Sequence, residues 1–296
     1  MTDVLLINGE NKFMIILNSL ILVIILFLAY LFCIHPGSRP IPEEMRKNYA
    51  HRGLYGDDVP ENSLAAFENA VQTGYGIELD VQLSRDGEVV VFHDATLERM
   101  TGVRGKVIEK TLAELKELSL NGTEHRIPTL REVLETVDGK VPLLVELKGE
   151  STDTSLCPAV DEILREYRGS YLIESFNPLL LRWYKKNHPD VLRGQLTTNL
   201  TKGLGKNMRN RLLESMILNL VTRPDFLAYD IRCPKRIPVR LCTGFFHANR
   251  FVWTIRDGDE YRKSEALDAF AIFENFCPPI TMNISDIDPK NDVTVS

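Results

Sequence analysis

The sequence has no excess of positive charge. Its 296 residues include 35 Lys and Arg against 41 Asp and Glu, which gives a formal net charge of −6. Proteins that bind nucleic acid rely on a basic face that neutralises phosphate groups. The charge balance therefore excludes nucleic acid as a partner.

The sequence also lacks closely spaced cysteines and a glycine-rich nucleotide fingerprint. Its five cysteines are scattered, without the short pairs of a zinc site or of a small disulfide framework. We expect isolated thiols. No G-x-G-x-x-G follows a predicted strand, so nothing favours a dinucleotide-binding fold.

One long apolar run stands near the N-terminus. From Phe13 to Ile34 the chain is uncharged, and as a helix this run would be about 33 Å long, which matches the hydrocarbon core of a bilayer. A cleaved signal peptide is the alternative, but the run is longer than the apolar core of such a peptide and lacks a small-residue cleavage pattern. We predict an N-terminal tail (1–12) and a transmembrane helix (13–34).

The charges that flank this run predict its orientation. Lys12 is the only cation before it, whereas Arg39, Arg46 and Lys47 follow it. Positive charges favour the cytoplasmic side of a membrane. We therefore expect a single-pass protein of the cell membrane whose globular domain lies in the cytoplasm.

The chain after a proline-rich linker (35–47) alternates strand-like and helical patterns. This alternation predicts a parallel α/β domain over residues 48–284, followed by a C-terminal tail (285–296). Eight strands with crossover helices favour a (β/α)8 TIM-type barrel over an open sheet. The apolar runs end near Arg52, Asp80, Lys148, Phe176, Gln195, Asp230, Ile255 and Phe273.

A hairpin interrupts the alternation after the second strand. Asp86-Gly87 joins two β-prone arms, and this dipeptide is a strong hairpin signal. A turn centred there predicts that Asp80 and His93 lie opposite each other. Residues 94–128 would then form a small insertion before the barrel resumes.

Ionisable residues concentrate at the predicted strand ends. Because parallel barrel strands end at one mouth, these side chains should meet there. Residues two apart on a strand share a face, as Glu78 and Asp80 do, and as Glu146 and Lys148 do. The full set is His51, Arg52, Glu78, Asp80, His93, Glu146 and Lys148.

Carboxylates on one barrel face would repel one another unless a cation lay among them. Glu78, Asp80 and Glu146 therefore predict a divalent metal site, and oxygen ligands favour Mg²⁺ or Ca²⁺. The alternative is a buried ion-pair network with Arg52 and Lys148.

Two histidines beside such a site fit the cleavage of a phosphodiester. One imidazole, of His51 or His93, would remove the proton of the nucleophile, and the other would protonate the leaving oxygen. The cationic side chains of Arg52 and Lys148 would hold the phosphate oxygens.

A series of motifs in order resembles the glycerophosphodiester phosphodiesterase family. The similarity runs from about Asn48 to Asn275 and is densest before Gly149. The motifs are AHRG (50–53), PENSLAAF (60–67), IELDVQLSRDG (77–87), VFHD (91–94), TLERMTG (96–102), IPTL (127–130) and VELK (145–148).

The resemblance implies a TIM barrel with a small insertion after the second strand, and hydrolysis of glycerophosphodiesters to glycerol 3-phosphate and an alcohol. It implies roles for particular residues. These are Glu78, Asp80 and Glu146 as metal ligands, His51 and His93 as the acid/base pair, and Arg52 and Lys148 as phosphate contacts.

Weaker assignments concern the surroundings of the site. Trp253 either lines the glycerol pocket or belongs to the barrel core, and Glu61 and Asn62 either support the site or cap a helix. The family often has an Asp-x-Pro-like turn after the last strand, where this chain has Phe273-Glu274-Asn275-Phe276. This departure leaves the far wall of the pocket, and with it the alcohol preference, open.

Three other functions compete with this interpretation. A lysophospholipase D or sphingomyelinase D-like enzyme would share the metal and the histidines but accept a lipid. A catalytically silent, membrane-tethered binding module is a second alternative. A retaining glycosidase that used Glu78 and Glu146 would have no need of the histidines. The expected partners are thus a glycerophosphodiester or lysophospholipid and a lipid bilayer.

The segment from Lys202 to Leu220 predicts a basic amphipathic helix. Apolar residues recur every four positions, and cations cluster in its first half. The helix would either pack on the outside of the barrel or lie against anionic lipid.

Overall fold

The computed structural model describes residues 2–280 apart from 38, 150 and 234, with side chains described from residue 12 onward. The predicted tail (285–296) lies outside the described residues. The five cysteines carry free thiols, as expected.

The described chain contains nine strands and twelve α-helices. The strands are β1 (Tyr49–Ala50), β2 (Gly76–Leu83), β3 (Val89–Val91), β4 (Leu143–Leu147), β5 (Tyr171–Ser175), β6 (Arg193–Thr197), β7 (Phe226–Asp230), β8 (Asn249–Ile255) and β9 (Phe270–Phe273). The helices are α1 (Thr2–Ile34), α2 (Leu64–Thr73), α3 (Glu98–Thr101), α4 (Leu112–Lys116), α5 (Leu130–Val137), α6 (Leu156–Leu164), α7 (Pro178–Asn187), α8 (Leu200–Gly203), α9 (Met208–Glu214), α10 (Asn219–Thr222), α11 (Ile237–Arg240) and α12 (Gly258–Ala266).

Eight of the strands form the predicted closed parallel barrel. The order β1-β9-β8-β7-β6-β5-β4-β2 closes through a pairing of β1 with β2, and β3 is added antiparallel to β2. Helices on the outside bury the apolar faces of the strands, which explains why most strand residues are buried on both faces.

The lower half of the barrel interior is apolar. Inward side chains form one cluster that reaches from the amino ends of the strands to the floor of the mouth, where Leu196 and Ile272 belong to it. The cluster consists of Tyr49, Leu144, Leu172, Leu192, Leu196, Phe226, Ala228, Phe251 and Ile272, with Ile41 from the segment before β1.

The segment between α1 and β1 packs beneath the barrel. Ile41 is 2% exposed and covers the apolar cluster. The Arg39 guanidinium donates to both carboxylate oxygens of Asp225, at 2.8 and 2.5 Å. The predicted linker therefore joins α1 to the barrel through direct contacts.

The N-terminal helix starts earlier than predicted, at Thr2, and continues to Ile34. Its part from Lys12 to Ile34, which has a mean hydropathy of 2.8 over an 18-residue window, is long and apolar enough to cross a membrane. The side chains of residues 12–29 are exposed, and contact with the barrel begins at Tyr30.

The hairpin after β2 exists, but the predicted pairing is wrong by one residue. Val81 pairs with Val91, and the Phe92 N–H donates to the Asp80 carbonyl, so Phe92 rather than His93 lies opposite Asp80. The loop has three residues (85–87) because Gly87 adopts a φ of 86°. Three-residue loops with such a residue are the next most common hairpin type after two-residue loops.

The insertion after the hairpin has a small core of its own. It contains α3 and α4, and its buried residues pack with the last strand of the hairpin. The core consists of Val90, Phe92, Leu97, Met100, Val107, Leu115, Leu120 and Ile127.

The prediction of one helix from Lys202 to Leu220 is wrong. The segment is divided among α8, α9 and α10, with left-handed backbone at Gly205 (φ 89°) and Met216 (φ 59°) at the breaks. The apolar residues that recur every four positions therefore do not share one face, since Met216 is 2% exposed whereas Met208 is 79% exposed.

Candidate active site

A cavity of about 400 Å³ opens at the carboxyl ends of the strands. Its lining combines acidic, basic and aromatic side chains from around the barrel. These are His51, Arg52, Tyr55, Glu61, Glu78, His93, Glu146, Lys148, Glu174, Phe176, Leu196, Trp253, Thr254, Arg256, Ile272 and Glu274.

Three buried glutamates meet at the floor of this cavity. Glu78, Glu146 and Glu174 each offer an oxygen atom, and these atoms lie within 4.8 Å of one another. They come from the neighbouring strands β2, β4 and β5, and all three side chains are less than a tenth exposed. The alternation of side chains along each strand turns them to the barrel interior.

The three carboxyls lie in an environment that opposes their ionisation. Burial and the neighbouring carboxylates raise the pKa of Glu78 and of Glu174. Burial is also the main cause that raises the pKa of Glu146, to about 7. Among the described residues, Glu174 Oε2 is buried without a hydrogen-bond donor. A hard divalent cation would satisfy this oxygen and offset the repulsion, so the donor set fits Mg²⁺ or Ca²⁺.

Asp80, the remaining predicted ligand, lies outside this group of three. It contacts Lys148 Nζ at 2.8 Å, Asn62 Nδ2 at 2.9 Å and Arg52 Nε at 3.4 Å. Burial alone would raise the pKa of Asp80, but Lys148, His93 and Arg52 outweigh it and lower this pKa strongly. The alternative ion-pair network is thus present on one side of the site and includes Glu146 through Lys148, whereas Glu174 Oε2 has no hydrogen-bond partner among the described residues.

The two predicted phosphate-binding cations lie on either side of Asp80. Lys148 Nζ bridges Asp80 and Glu146 at 2.8 Å to each. Arg52 has left-handed backbone (φ 58°), its N–H donates to Glu78 Oε2 at 2.9 Å, and its side chain donates to Glu61 at 2.7 Å.

A carboxylate fixes the ring of His51. Glu274 Oε2 lies 2.6 Å from His51 Nδ1 and also accepts from the Tyr55 hydroxyl at 3.1 Å, while Arg256 Nε lies 2.9 Å from the other oxygen. Burial raises the pKa of Glu274, but the bond with His51 and the nearby charges outweigh it and lower this pKa to about 2. Since Glu274 is ionised, it accepts a hydrogen bond from the Nδ1–H group and leaves Nε2 of neutral His51 as the free acceptor.

His93 is held in the same manner. Its Nδ1 lies 2.6 Å from Asp94 Oδ1, and Arg99 Nε donates to the other Asp94 oxygen at 2.5 Å. Arg99 also donates to Glu61, which contacts Arg52. Burial is the largest cause that lowers the pKa of His93, as it is for His51, so both rings are neutral near pH 7.

The structure distinguishes the two expectations for Glu61 and Asn62. The N-cap of α2 is Ser63, whose hydroxyl accepts from the Ala66 N–H at 3.2 Å. Glu61 instead joins Arg52 to Arg99, and Asn62 donates to Asp80. Both residues support the site rather than the helix end.

Trp253 lines the cavity and also packs against the apolar lower cluster. Its ring packs edge-on against Phe176, with centroids 5.8 Å apart. Within the described part of the chain its indole N–H has no acceptor. A polar group of a bound molecule would satisfy this donor.

The sequence-predicted residues thus come together, while several functional contacts were missed. All but Asp80 line the cavity, and Asp80 lies directly behind Lys148. The missed residues are Glu174, which completes the acidic floor, and the histidine partners Glu274 and Asp94. The sequence did contain a sign of Glu174, because this residue lies two positions before Phe176, the predicted end of the fourth barrel strand, which is β5 in the structure.

The sequence pattern of the glycerophosphoryl diester phosphodiesterase family matches residues 51–277 of this chain. A glycerophosphodiester phosphodiesterase of Caldanaerobacter subterraneus subsp. tengcongensis is 42% identical over 161 residues, which is 50% of this chain and 65% of that protein. A lysophospholipase D of Rattus norvegicus is 31% identical over 159 residues, which is 48% of this chain and 49% of that protein. The chain therefore spans less than two thirds of the length of either relative.

Among solved structures, a phosphodiesterase from Oleispira antarctica in complex with the product sn-glycerol-3-phosphate has a similar fold. The TM-score is 0.64 at 28% identity, and the match covers 78% of this chain and 93% of that one.

Proposed function

The chain belongs to the glycerophosphoryl diester phosphodiesterase family, and we propose that it hydrolyses glycerophosphodiesters to glycerol 3-phosphate and an alcohol. One observation carries this proposal. Two neutral histidines, each held at Nδ1 by an ionised carboxylate, line one cavity. The same cavity is lined by three buried glutamates that have too few cationic partners to balance their charges.

The histidines supply the proton transfers. The free Nε2 of one imidazole accepts the proton of the attacking hydroxyl as its oxygen bonds to phosphorus. The other imidazole, which has taken up a proton at Nε2 from solvent before the step, donates that proton to the oxygen of the departing alcohol, and the proton left on the first imidazole returns to solvent. Glu274 and Asp94 stabilise the imidazolium that each histidine becomes, because each carboxylate lies 2.6 Å from a ring nitrogen.

We propose that Glu78, Asp80 and Glu146 hold a divalent cation, and that Glu174 is a fourth carboxylate of this site. A bound Mg²⁺ or Ca²⁺ would polarise a phosphoryl oxygen. The buried, unpartnered oxygen of Glu174 supports its inclusion. Arg52 and Lys148 neutralise the remaining charge on Asp80 in the described structure and would contact the phosphate.

Trp253 is proposed to bind the glycerol end of the substrate. Its ring forms part of the cavity wall, and its indole N–H is free to donate to a hydroxyl. Arg256 and Tyr55 lie on the same wall beside Glu274, which belongs to the segment where the sequence departs from the family pattern.

A lysophospholipid is the second candidate substrate. The apolar helix α1 is the observation that favours it, because an enzyme held at a bilayer meets lipids at high local concentration. One relative of the chain is named a lysophospholipase D, which is an activity on lysophospholipids.

The proposed location follows from α1. We propose that residues 13–34 anchor the protein in the cell membrane and that residues 48–284 form the catalytic domain. The cations after the helix, such as Arg46 and Lys47, support a cytoplasmic position for that domain.

The proposal is tested with the full-length protein in detergent. Glycerophosphocholine, glycerophosphoethanolamine and lysophosphatidylcholine would be offered in turn with Mg²⁺, Ca²⁺ or EDTA, and released phosphate esters would be identified by mass spectrometry. We expect glycerol 3-phosphate from the first two, loss of activity in EDTA, and recovery with one cation. Full activity in EDTA would refute the metal site, and substrate that binds without turnover would favour the binding module.

A further inference from the structure

The most exposed large apolar side chains outside α1 lie on the segments that follow the neighbouring strands β6 and β7. Among the described residues these are Leu204 (72% exposed), Met208 (79%) and Ile237 (70%), together with Phe245 (63%). Leu212, one turn after Met208 on α9, is 41% exposed. Exposed apolar side chains that cluster in this way indicate a surface that contacts something else.

Helix α1 docks beside these residues. The Ile34 carbonyl accepts from Asn219 Nδ2 at 2.9 Å and from Cys242 Sγ at 3.3 Å, which places the helix end between α10 and the turn after α11. The Arg223 guanidinium donates to the carbonyls of Phe32 and His35, at 3.0 and 2.6 Å. These contacts fix the helix relative to the barrel.

The direction in which α1 leaves the barrel follows from the same contacts. The Gly37 N–H donates to the Pro224 carbonyl at 2.7 Å, at the lower end of β7. One helical turn before Ile34, the Tyr30 hydroxyl donates to the Ser215 carbonyl at 3.1 Å. Because the chain runs from the mouth downward between β6 and β7, Ser215 lies nearer the mouth than Pro224. Residues before Tyr30 therefore leave toward the mouth.

The length of the free part of α1 determines where a bilayer would begin. Residues 12–29 are exposed, and at 1.5 Å per residue this part spans about 27 Å. A hydrocarbon core is about 30 Å thick. All of residues 12–29 are thus needed to cross it, and the membrane surface begins at the level of Tyr30 and Ser215.

Two mouth-side segments lie at this level and are joined to each other. One contains α8 and α9 after β6, and the other leads from β7 to Ile237. Arg236 joins them by donating to the Thr198 carbonyl at 2.6 Å and by pairing with Glu214 at 3.1 Å. Exposed cations on the same segments, Lys202, Lys206 and Lys235, complement anionic lipid.

We propose that Leu204, Met208, Leu212 and Ile237, here called the collar, insert into the interface of an anionic bilayer, so that the catalytic mouth faces the membrane. The proposal rests on the anchor role of α1. Phe245 is not part of the collar, since its neighbour Phe246 packs on His35, below the docking point. A lysophospholipid head group could then enter the cavity at its β6 and β7 rim while its acyl chain stays in lipid.

Collar depth is tested by fluorescence quenching in full-length protein. The chain would be reconstituted in anionic bilayers whose acyl chains carry bromine near the head group, which quenches nearby tryptophan. Three variants would be compared with the parent: Met208→Trp in the collar, Phe27→Trp in α1, and Lys140→Trp in the exposed turn before β4, at the opposite end of the barrel. We expect added quenching for the first two and none for Lys140→Trp.

The outcomes separate the collar from the anchor. If Phe27→Trp is quenched while Met208→Trp behaves like Lys140→Trp, the collar is refuted and the anchor stands. If Phe27→Trp is not quenched, the anchor and the collar both fail. Neither readout requires activity, so both remain valid if the proposed reaction is wrong.

A second variant tests the consequence for substrates. Met208→Glu with Leu212→Glu places two charges in the collar, and neither residue lines the catalytic cavity. Turnover of lysophospholipid in anionic bilayers should fall about tenfold, the scale for losing one buried apolar side chain, while soluble glycerophosphocholine turnover stays unchanged. If the variant hydrolysed lysophospholipid in anionic bilayers as fast as the parent does, the proposal would be contradicted.

Discussion

The two ends of the barrel interior differ in chemistry although the same strands build them. On β4, Leu144 belongs to the apolar lower cluster and Glu146 to the acidic floor of the cavity. Leu172 and Glu174 repeat this change on β5. The members of each pair are two residues apart, so each strand turns both of them inward, about 7 Å from one another.

Because of this difference, the lower end of the barrel interior mainly stabilises the fold, whereas the upper end carries the functional groups. The lower cluster stabilises the fold by burying apolar area, with aromatic rings that contact one another such as Phe226 and Phe251, 4.5 Å between centroids. The upper layer buries carboxyls whose raised pKa values show that their ionised forms are disfavoured. Buried carboxyls with raised pKa values are typical of functional sites rather than of residues that stabilise the fold.

The largest expected effect concerns the histidines of the upper end. His51→Ala and His93→Ala should each lower kcat/KM on the order of a hundredfold or more, because each loses a positioned proton acceptor or donor. Since the two act in one transfer, the double variant should be little worse than either single variant. Steady-state kinetics with glycerophosphocholine would measure this.

His188→Ala is the matched control, because this histidine pairs with Asp161 away from the cavity. Its activity should match that of the parent. Losses that simply multiply in the double variant would argue against a shared step.

The lower end should respond in stability instead. Phe251 is fully buried, and Phe251→Ala should lower the free energy of unfolding by about 3–5 kcal/mol. Denaturant titration of the full-length protein would measure it. Activity per folded molecule should stay near the parent value.

Trp253→Phe, two residues further on the same strand, sharpens the contrast. It should raise KM while changing the free energy of unfolding little, since most of the ring volume remains. If Phe251→Ala reduced activity per folded molecule as much as His51→Ala does, the separation of the two ends would be wrong.

The barrel and most of the site were predictable because their signals are local. The strand ends are marked by apolar runs, and spacing by two places Glu78 and Asp80 on one face. The pairing opposite Asp80 was not predictable, since Asp-Gly occurs in both two-residue and three-residue loops and only the backbone of Gly87 distinguishes them.

Contacts between distant residues were beyond the sequence. His51 and Glu274 are 223 positions apart and meet only because β1 and β9 are neighbours when the barrel closes. The break in the predicted helix after Lys202 had a visible sign in Gly205, but four-residue apolar spacing outweighed it. Met216, which ends the second piece with left-handed backbone, gave no sign.

A smaller effect should come from Glu174, whose role is metal binding. Glu174→Gln keeps the side-chain shape and removes one charge from the acidic floor. Its affinity for the activating cation should fall about 10- to 100-fold, the range for losing a supporting group at a metal site. Titration calorimetry would measure the affinity directly.

The same variant should melt at a higher temperature than the parent when metal is removed, because it relieves repulsion with Glu78 and Glu146. The control is Glu162→Gln, an exposed charge on α6. It should change neither quantity. An unchanged affinity for Glu174→Gln would exclude Glu174 from the metal site.

The smallest expected effect concerns Glu274, which acts through His51. Glu274→Gln can still accept a hydrogen bond from the Nδ1–H group through its amide oxygen, so the orientation of the ring is retained and kcat should fall only about tenfold, the lower end for groups that orient a functional side chain. The larger change should appear in pH dependence. The hydrogen bond and charge of Glu274 raise the pKa of His51 against the effect of burial. Removing the charge therefore lowers this pKa, and the acidic limb of the kcat/KM profile should move to lower pH.

Tyr55→Phe isolates this electrostatic effect from local packing. It removes the hydroxyl that donates to Glu274 at 3.1 Å but leaves the carboxylate beside His51. The acidic limb should then stay where it is in the parent or move slightly upward, because a carboxylate that loses a donor attracts the imidazolium proton more strongly. A shift to lower pH in both variants would mean that the wall of the cavity, rather than the charge of Glu274, sets the protonation of His51.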